Sequence, residues 1–227
     1  MKLLITAATA AEIQPLQEFL SQNYKKTGVN RFQKGFTSDV QLLVTGVGMP
    51  LTAFHLGHTV PAISPDWIIQ AGVAGTYKEN LELGTVVNVA TEQFGDLGAQ
   101  DADGSFLDVF QLGLLPFQEH PWNQGRLVNP YAEQAHFLPK VAGLTVNKVN
   151  GYGPAIEAVR LKYAPDIETM EGAAFFYACL HLGYPFMEIR SISNLVEPRN
   201  RAAWQMGKAI RNLNQTLIDM LEVWLGS

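Results

Sequence analysis

The chain holds one cysteine, Cys179, among 227 residues, which excludes an intrachain disulfide and fits a reducing compartment. Charged residues are scarce at 16%, and the formal charge is -5. Without a cationic surplus, nucleic acid is not an expected partner. No apolar run approaches the roughly 20 residues that a membrane span needs, so no membrane association is expected. The histidines His55, His58, His120, His136 and His181 lack metal-ligand spacing, and His55 and His58, three apart on an expected helix, read as core or surface residues. No Ser/His/Asp nucleophile pattern, complete dinucleotide fingerprint or Lys-Ser/Thr phosphate loop is present. A cytoplasmic protein with neither metal nor cofactor is the expectation.

What is abundant is apolar: 47% of residues, with 20 glycines, enough to bury the core of one α/β domain over residues 1–227. The run at residues 3–8 loosely mimics a signal peptide. With a single basic residue before it and Glu12 soon after, it reads as an opening strand. Further strands are expected at residues 40–45, 67–71, 86–90, 144–149, near 167 and at 186–192. Helices are expected at residues 10–21, 49–60, 154–163, 171–182 and 201–225. Residues 92–140 are rich in Gly, Pro, Asp, Gln and aromatics, and such long irregular segments usually serve as lids or interface loops. Alternating strands and helices imply a largely parallel sheet covered on both faces. Ligands then bind beyond the carboxyl ends of the strands, which brings residues 8–12, 46–48, 72–75 and 191–194 to one rim.

Several residues at that rim carry two readings each. The glycine corners at Gly46-Val47-Gly48 and Gly72-Val73-Ala74-Gly75 are tight turns, or places where backbone N–H groups approach a ligand. Glu12 favours the positive end of the next helix, or acts as a partly desolvated general base. Glu171 is a helix-start acid, or a carboxylate accepting two hydrogen bonds from vicinal hydroxyls such as those of ribose. Asn194 is a turn residue or a polar group at the strand end. Arg199 and Arg201 open a solvated helix, or grip a substrate carboxylate.

Together these segments resemble the superfamily of purine nucleoside phosphorylases and methylthioadenosine nucleosidases over essentially the whole chain. The anchors are the strand leading to Glu12, the two glycine corners, Glu168-Thr169-Met170-Glu171, and Arg190-Ser191-Ile192-Ser193-Asn194. The longer runs at residues 170–175 and 192–201 look like those of futalosine hydrolases, which cleave futalosine to hypoxanthine and dehypoxanthine futalosine in the alternative menaquinone route. The resemblance implies a single-domain three-layer αβα sandwich with a central mixed, largely parallel sheet, and a homodimer or higher homo-oligomer. It implies that Glu12 activates the attacking water, that Glu171 and Met170 hold the sugar, and that Asn194 faces N7 and the six-substituent of the base. Val73, Ala74, Gly75, Ser193 and Arg199 are implied substrate contacts, with Tyr152 the candidate ring against the purine. Phe94, Phe106, Phe110, Phe117 and Trp122 would pack on a benzoate-bearing arm or form a subunit interface.

Two departures from the wider family matter. Nucleosidases of 6-aminopurines carry Asp where this chain has Asn194, and an amide suits a 6-oxo group because it donates to O6 while accepting from N7–H. Many phosphorylases place Arg and Ser around the third-strand corner, whereas the matching positions here are Gln70 and Val73, a poor phosphate site. The expected reaction is therefore hydrolysis that releases hypoxanthine. The rivals are a 6-oxopurine nucleoside phosphorylase, a methylthioadenosine-type nucleosidase and a non-catalytic nucleoside-binding module.

Overall fold

The computed structural model describes residues 1–36 and 38–226. In chain order the elements are β1 (Lys2–Ala7), α1 (Gln14–Asn23), β2 (Lys25–Gly28), β3 (Arg31–Lys34), β4 (Ser38–Val44), α2 (Met49–Ile63), β5 (Trp67–Thr76) and β6 (Val86–Phe94). Then come β7 (Gly98–Gln100), β8 (Phe106–Asp108), β9 (Trp122–Asn123), β10 (Arg126–Val128), β11 (Lys140–Thr145) and α3 (Gly153–Tyr163). The chain ends with β12 (Ile167–Thr169), α4 (Gly172–Leu182), β13 (Phe186–Leu195) and α5 (Met206–Leu225).

Among the described residues eleven strands join one sheet, and β7 and β8 pair separately. Strand β1 lies parallel between β4 and β5, and β5 runs parallel to β13 along nearly its whole length. Strands β5, β13, β6, β11 and β12 pair in a closed ring. The sheet is mixed rather than largely parallel: β2, β3 and β4 form an antiparallel meander, β9 and β10 add another hairpin, and β13 meets β6 antiparallel. The β2–β3 hairpin had no strong apolar alternation to announce it, since β2 is exposed at every position.

Alternation along β1 divides the core. Leu3, Ile5 and Ala7 join a cluster with Leu16 and Leu20 of α1 and Leu213, Leu217 and Leu221 of α5. Leu4 joins a second cluster with Leu56 and Val60 of α2 and Phe175 and Phe176 of α4. Helices thus cover two sides of the sheet, and each fully buried Leu or Phe contributes about 1.5–3 kcal/mol. No helix among the described residues is long and apolar enough to cross a membrane.

Two expected boundaries moved in a way that shapes the site. Strand β5 does not stop at Ala71 but continues to Thr76, and β13 runs on to Leu195. Their mutual ladder carries both strands past the glycines, so what looked like loops is sheet. The expected helix over residues 10–21 splits into a short 3₁₀ turn, Ala10–Glu12, followed by α1.

Candidate active site

A cleft of about 430 Å³ opens over the upper ends of β5, β12 and β13. Glu12, Val73, Ala74, Gly75, Met170, Glu171, Ser193, Asn194 and Arg199 all line it, together with Val47, Val149, Glu168, Trp204 and Met206.

Glu12 ends the 3₁₀ turn and is buried. Its Oε2 accepts from the Thr9 backbone N–H at 2.9 Å and the Thr9 hydroxyl at 3.0 Å, the returning half of a capping box. Its Oε1 accepts from Val73 N–H at 3.1 Å and retains capacity for one more donor. One carboxylate oxygen thus caps the turn, while the residue lines the cleft.

Glu171 sits at the start of α4, with Oε1 taking the Gly48 N–H at 3.0 Å. Its Oε2 accepts from Arg190 Nη1 at 3.3 Å. The arginine is fully buried beneath the cleft and donates through Nε to Glu188 Oε1 at 2.7 Å. Burial works against its charge, but Glu188, Glu171 and Glu12 outweigh that and hold its pKa above the ordinary value. Gly72 makes this crossing possible: a Cβ there would stand 2.3 Å from Arg190 Nη1 and 3.1 Å from Glu12 Oε1. One guanidinium thus braces the ribose-binding candidate and lies under the water-activating candidate.

Asn194 reaches the cleft through a bulge. The β13–β5 register shifts between Ile192 and Asn194, so Ile192 faces Ala74 and Asn194 faces Gly75. Bulges commonly re-aim a side chain in this way. The Asn194 carbonyl accepts from the Ser193 hydroxyl at 2.8 Å, and its Nδ2 donates to the Leu195 carbonyl at 2.9 Å. One amide hydrogen and one lone pair stay available.

A futalosine hydrolase of Streptomyces coelicolor is 33% identical to this chain over 163 residues, spanning 70% of the chain and 68% of that protein. The chain belongs to the futalosine hydrolase family. Beside it, a 5'-methylthioadenosine/S-adenosylhomocysteine nucleosidase of Maridesulfovibrio salexigens is 26% identical over 242 residues, spanning 98% of the chain and 99% of that protein. The native futalosine hydrolase of Helicobacter pylori superposes with a TM-score of 0.78 at 14% identity, covering 98% of both chains, which shows the shared fold. No protein-family model matches. As a member of the futalosine hydrolase family the chain is a nucleosidase, an N-glycosyl hydrolase.

Within this family member, some sequence candidates lie outside the cleft. Tyr152 is 69% exposed at the residue preceding α3 and is not among the cleft-lining residues. Nearby, the backbone and side chain of Asn150 both bond Glu168. Gln70 is fully buried in β5, whereas Val73 lines the cleft with an apolar side chain. None of Phe94, Phe106, Phe110, Phe117 and Trp122 lines it either. Phe94 and Phe110 pack on Trp122 at 5.8 and 5.1 Å between ring centroids, and Trp122 packs on Tyr177 of α4. Of the two arginines, Arg199 borders the cleft, 5.7 Å from the Trp204 ring, and Arg201 lies in an exposed 3₁₀ turn. Among the described residues no group of three or more His, Cys, Asp or Glu side chains is placed to hold a metal.

Behind the site, the carboxyls of Glu92 and Glu188 meet beside Gly172. Burial, with the charge of Glu188 next to it, pushes the Glu92 carboxyl well above the carboxylate range, against hydrogen bonds from Thr145 at 2.8 Å and Thr169 at 3.3 Å. The folded chain therefore keeps a proton that the unfolded chain loses, and this group's contribution to stability falls as pH rises from the unfolded pKa toward the folded one. Glu92→Gln is neutral throughout. Relative to wild type the variant should gain stability as pH rises above the ordinary carboxylate range, read from urea midpoints. A difference independent of pH would contradict this.

Proposed function

We propose that this chain hydrolyses the N-glycosidic bond of futalosine, releasing hypoxanthine and dehypoxanthine futalosine, in the menaquinone route that passes through that nucleoside. The observation that carries the proposal is the amide of Asn194 in one cleft with Glu12 and Glu171. An amide donates to O6 and accepts from N7–H, the pattern of a 6-oxopurine leaving group. The names of the Streptomyces coelicolor relative and the Helicobacter pylori neighbour support the same substrate.

In this mechanism the ribose lies over Met170 with its vicinal hydroxyls on Glu171. Stretching of the C1′–N9 bond gives the sugar oxocarbenium character, which the carboxylate of Glu12 stabilises from its place in the cleft. A water hydrogen-bonded to Glu12 Oε1 attacks C1′ and gives its proton to that carboxylate. The bonding pair departs with the purine, N7 takes a proton from solvent, and the Asn194 carbonyl accepts the new N7–H. Arg199 is the one cation among the described cleft-lining residues, and a carboxylate on the 5′ arm is the group it would meet.

The test is base release in phosphate-free buffer. Futalosine should lose hypoxanthine at a rate unaffected by added phosphate, and much faster than methylthioadenosine loses adenine. Release that requires phosphate would mark a phosphorylase, and preference for methylthioadenosine would mark the other nucleosidase class.

A further inference from the structure

Glu168 is a cleft residue that no sequence motif singled out for a role. It lies on β12, where it pairs with Gly75 of β5, and Gly75 pairs on its other side with Asn194 of β13. In-register neighbours project their side chains from the same face of a sheet, and Glu168, Gly75 and Asn194 all line the cleft. They also share a smaller adjoining recess with Val149 and Trp204. Gly75 keeps the side-chain amide of Asn194 free of crowding: a Cβ there would stand 3.1 Å from Asn194 Nδ2 and 2.9 Å from Val196 Cγ2.

The hydrogen bonds of Glu168 say what it can still accept. Its Oε2 takes the Tyr77 hydroxyl at 2.6 Å and Asn150 Nδ2 at 2.8 Å, and its Oε1 takes only the Asn150 N–H at 3.2 Å. A carboxylate offers about four acceptor positions, so the open one belongs to Oε1. The end of the cleft thus presents an amide, with one hydrogen and one lone pair to spare, beside an unsaturated anionic acceptor. A 6-oxopurine edge is the complement, with N7 and O6 for the amide and the N1–H donor for the carboxylate. A 6-aminopurine reverses both terms, setting the bare N1 lone pair against a carboxylate.

We propose that Glu168 is a specificity-determining residue that accepts a hydrogen bond from N1–H of a 6-oxopurine while Asn194 engages O6 and N7. The proposal rests on the nucleosidase reading of the cleft and narrows its base. Tyr77 and Asn150 hold the carboxylate in place, as the outer partners of a binding group must. Burial raises the Glu168 carboxyl above its ordinary value, opposed by the hydrogen bonds from Tyr77 and Asn150. The anion is the stronger acceptor for N1–H, and the protonated acid could instead donate to the N1 of adenine. Preference for the 6-oxo base should therefore weaken as pH falls through that raised pKa.

The experiment compares kcat/KM for nucleosides with one sugar and one 5′ substituent, carrying a 6-oxo, a 6-amino or a 1-deaza-6-oxo base. The last replaces N1–H by C–H without added bulk. Wild type should favour the 6-oxo base and lose roughly 10- to 100-fold on the 1-deaza analogue, the size of a charge-assisted hydrogen bond. Glu168→Gln should lower the 6-oxo value while sparing or raising the 6-amino one, because its amide can donate to N1. A structural role would lower both alike, and that result overturns the proposal. If the variant does not fold, the wild-type enzyme decides alone: unchanged turnover of the 1-deaza substrate overturns the contact. A wild-type preference for the 6-amino base overturns the functional reading as well, whereas a 6-oxo preference that Glu168→Gln leaves intact overturns only the role of Glu168.

Discussion

Glu12→Gln is expected to bind the nucleoside with little change in KM and to turn it over about 10²- to 10⁴-fold more slowly, the range for loss of a positioned general base. The substitution is suited to the question because it separates the two jobs of the side chain. A glutamine can still accept the Thr9 N–H and complete the capping box, so the turn leading into α1 should persist and the melting temperature should hardly move. What the amide cannot do is take a proton from water or offset positive charge on the sugar. Equilibrium binding of an unreactive nucleoside analogue, measured beside kcat, distinguishes these effects. Turnover that survives the substitution would remove Glu12 from the chemistry. A collapse of stability would instead assign its weight to the cap.

Arg190→Met should cause the largest combined loss. The guanidinium is fully buried between Glu188 and Glu171, and breaking a buried pair by deleting one partner typically destabilises by about 3–5 kcal/mol, because the remaining charge lacks compensation. Methionine follows the stem of arginine closely enough to limit cavity formation, which keeps the readout electrostatic. Pairing it with Glu188→Gln removes one stranded carboxylate and should restore part of the stability. Activity should not return with it, since Glu171 has still lost its Arg190 partner. KM should rise as the ribose contact loosens. A double variant that recovers stability and full activity together would show that Arg190 serves the fold alone.

Much of this site is legible in the sequence. Eight of the strand and helix positions that matter to it lie where apolar runs end in polar or glycine residues, and a parallel connection brings such ends to one rim. That is why Glu12, Val73 to Gly75, Met170, Glu171, Ser193 and Asn194 could be gathered from local pattern and resemblance, and all of them line the cleft. Arg190 and Glu168 were in plain view within the same motifs, yet their surroundings come from long-range pairing. Nothing local reveals that Arg190 crosses above Gly72, or that Glu168 meets Tyr77 and Asn150. Tyr152 shows the opposite limit, since the resemblance offered it as the ring against the purine while its side chain lies exposed and outside the cleft lining. Glycines misled as strand terminators because β5 has paired neighbours on both sides at that height, where backbone pairing outweighs weak intrinsic preference.

The ladder between β5 and β13 has an evolutionary corollary. Val73, which donates to Glu12, and Gly75, which separates Glu168 from Asn194, are two residues apart on one strand, about 6.6 Å at the usual rise. In the proposed mechanism, bond-breaking and base choice are therefore mounted on a common rail but at separate stations. A descendant can acquire a new nucleobase by exchanging side chains at the outer station, with no retuning of the inner one. Relatives that accept different purines should accordingly diverge at positions 168 and 194 while retaining the carboxylates and the buried arginine beneath the sugar.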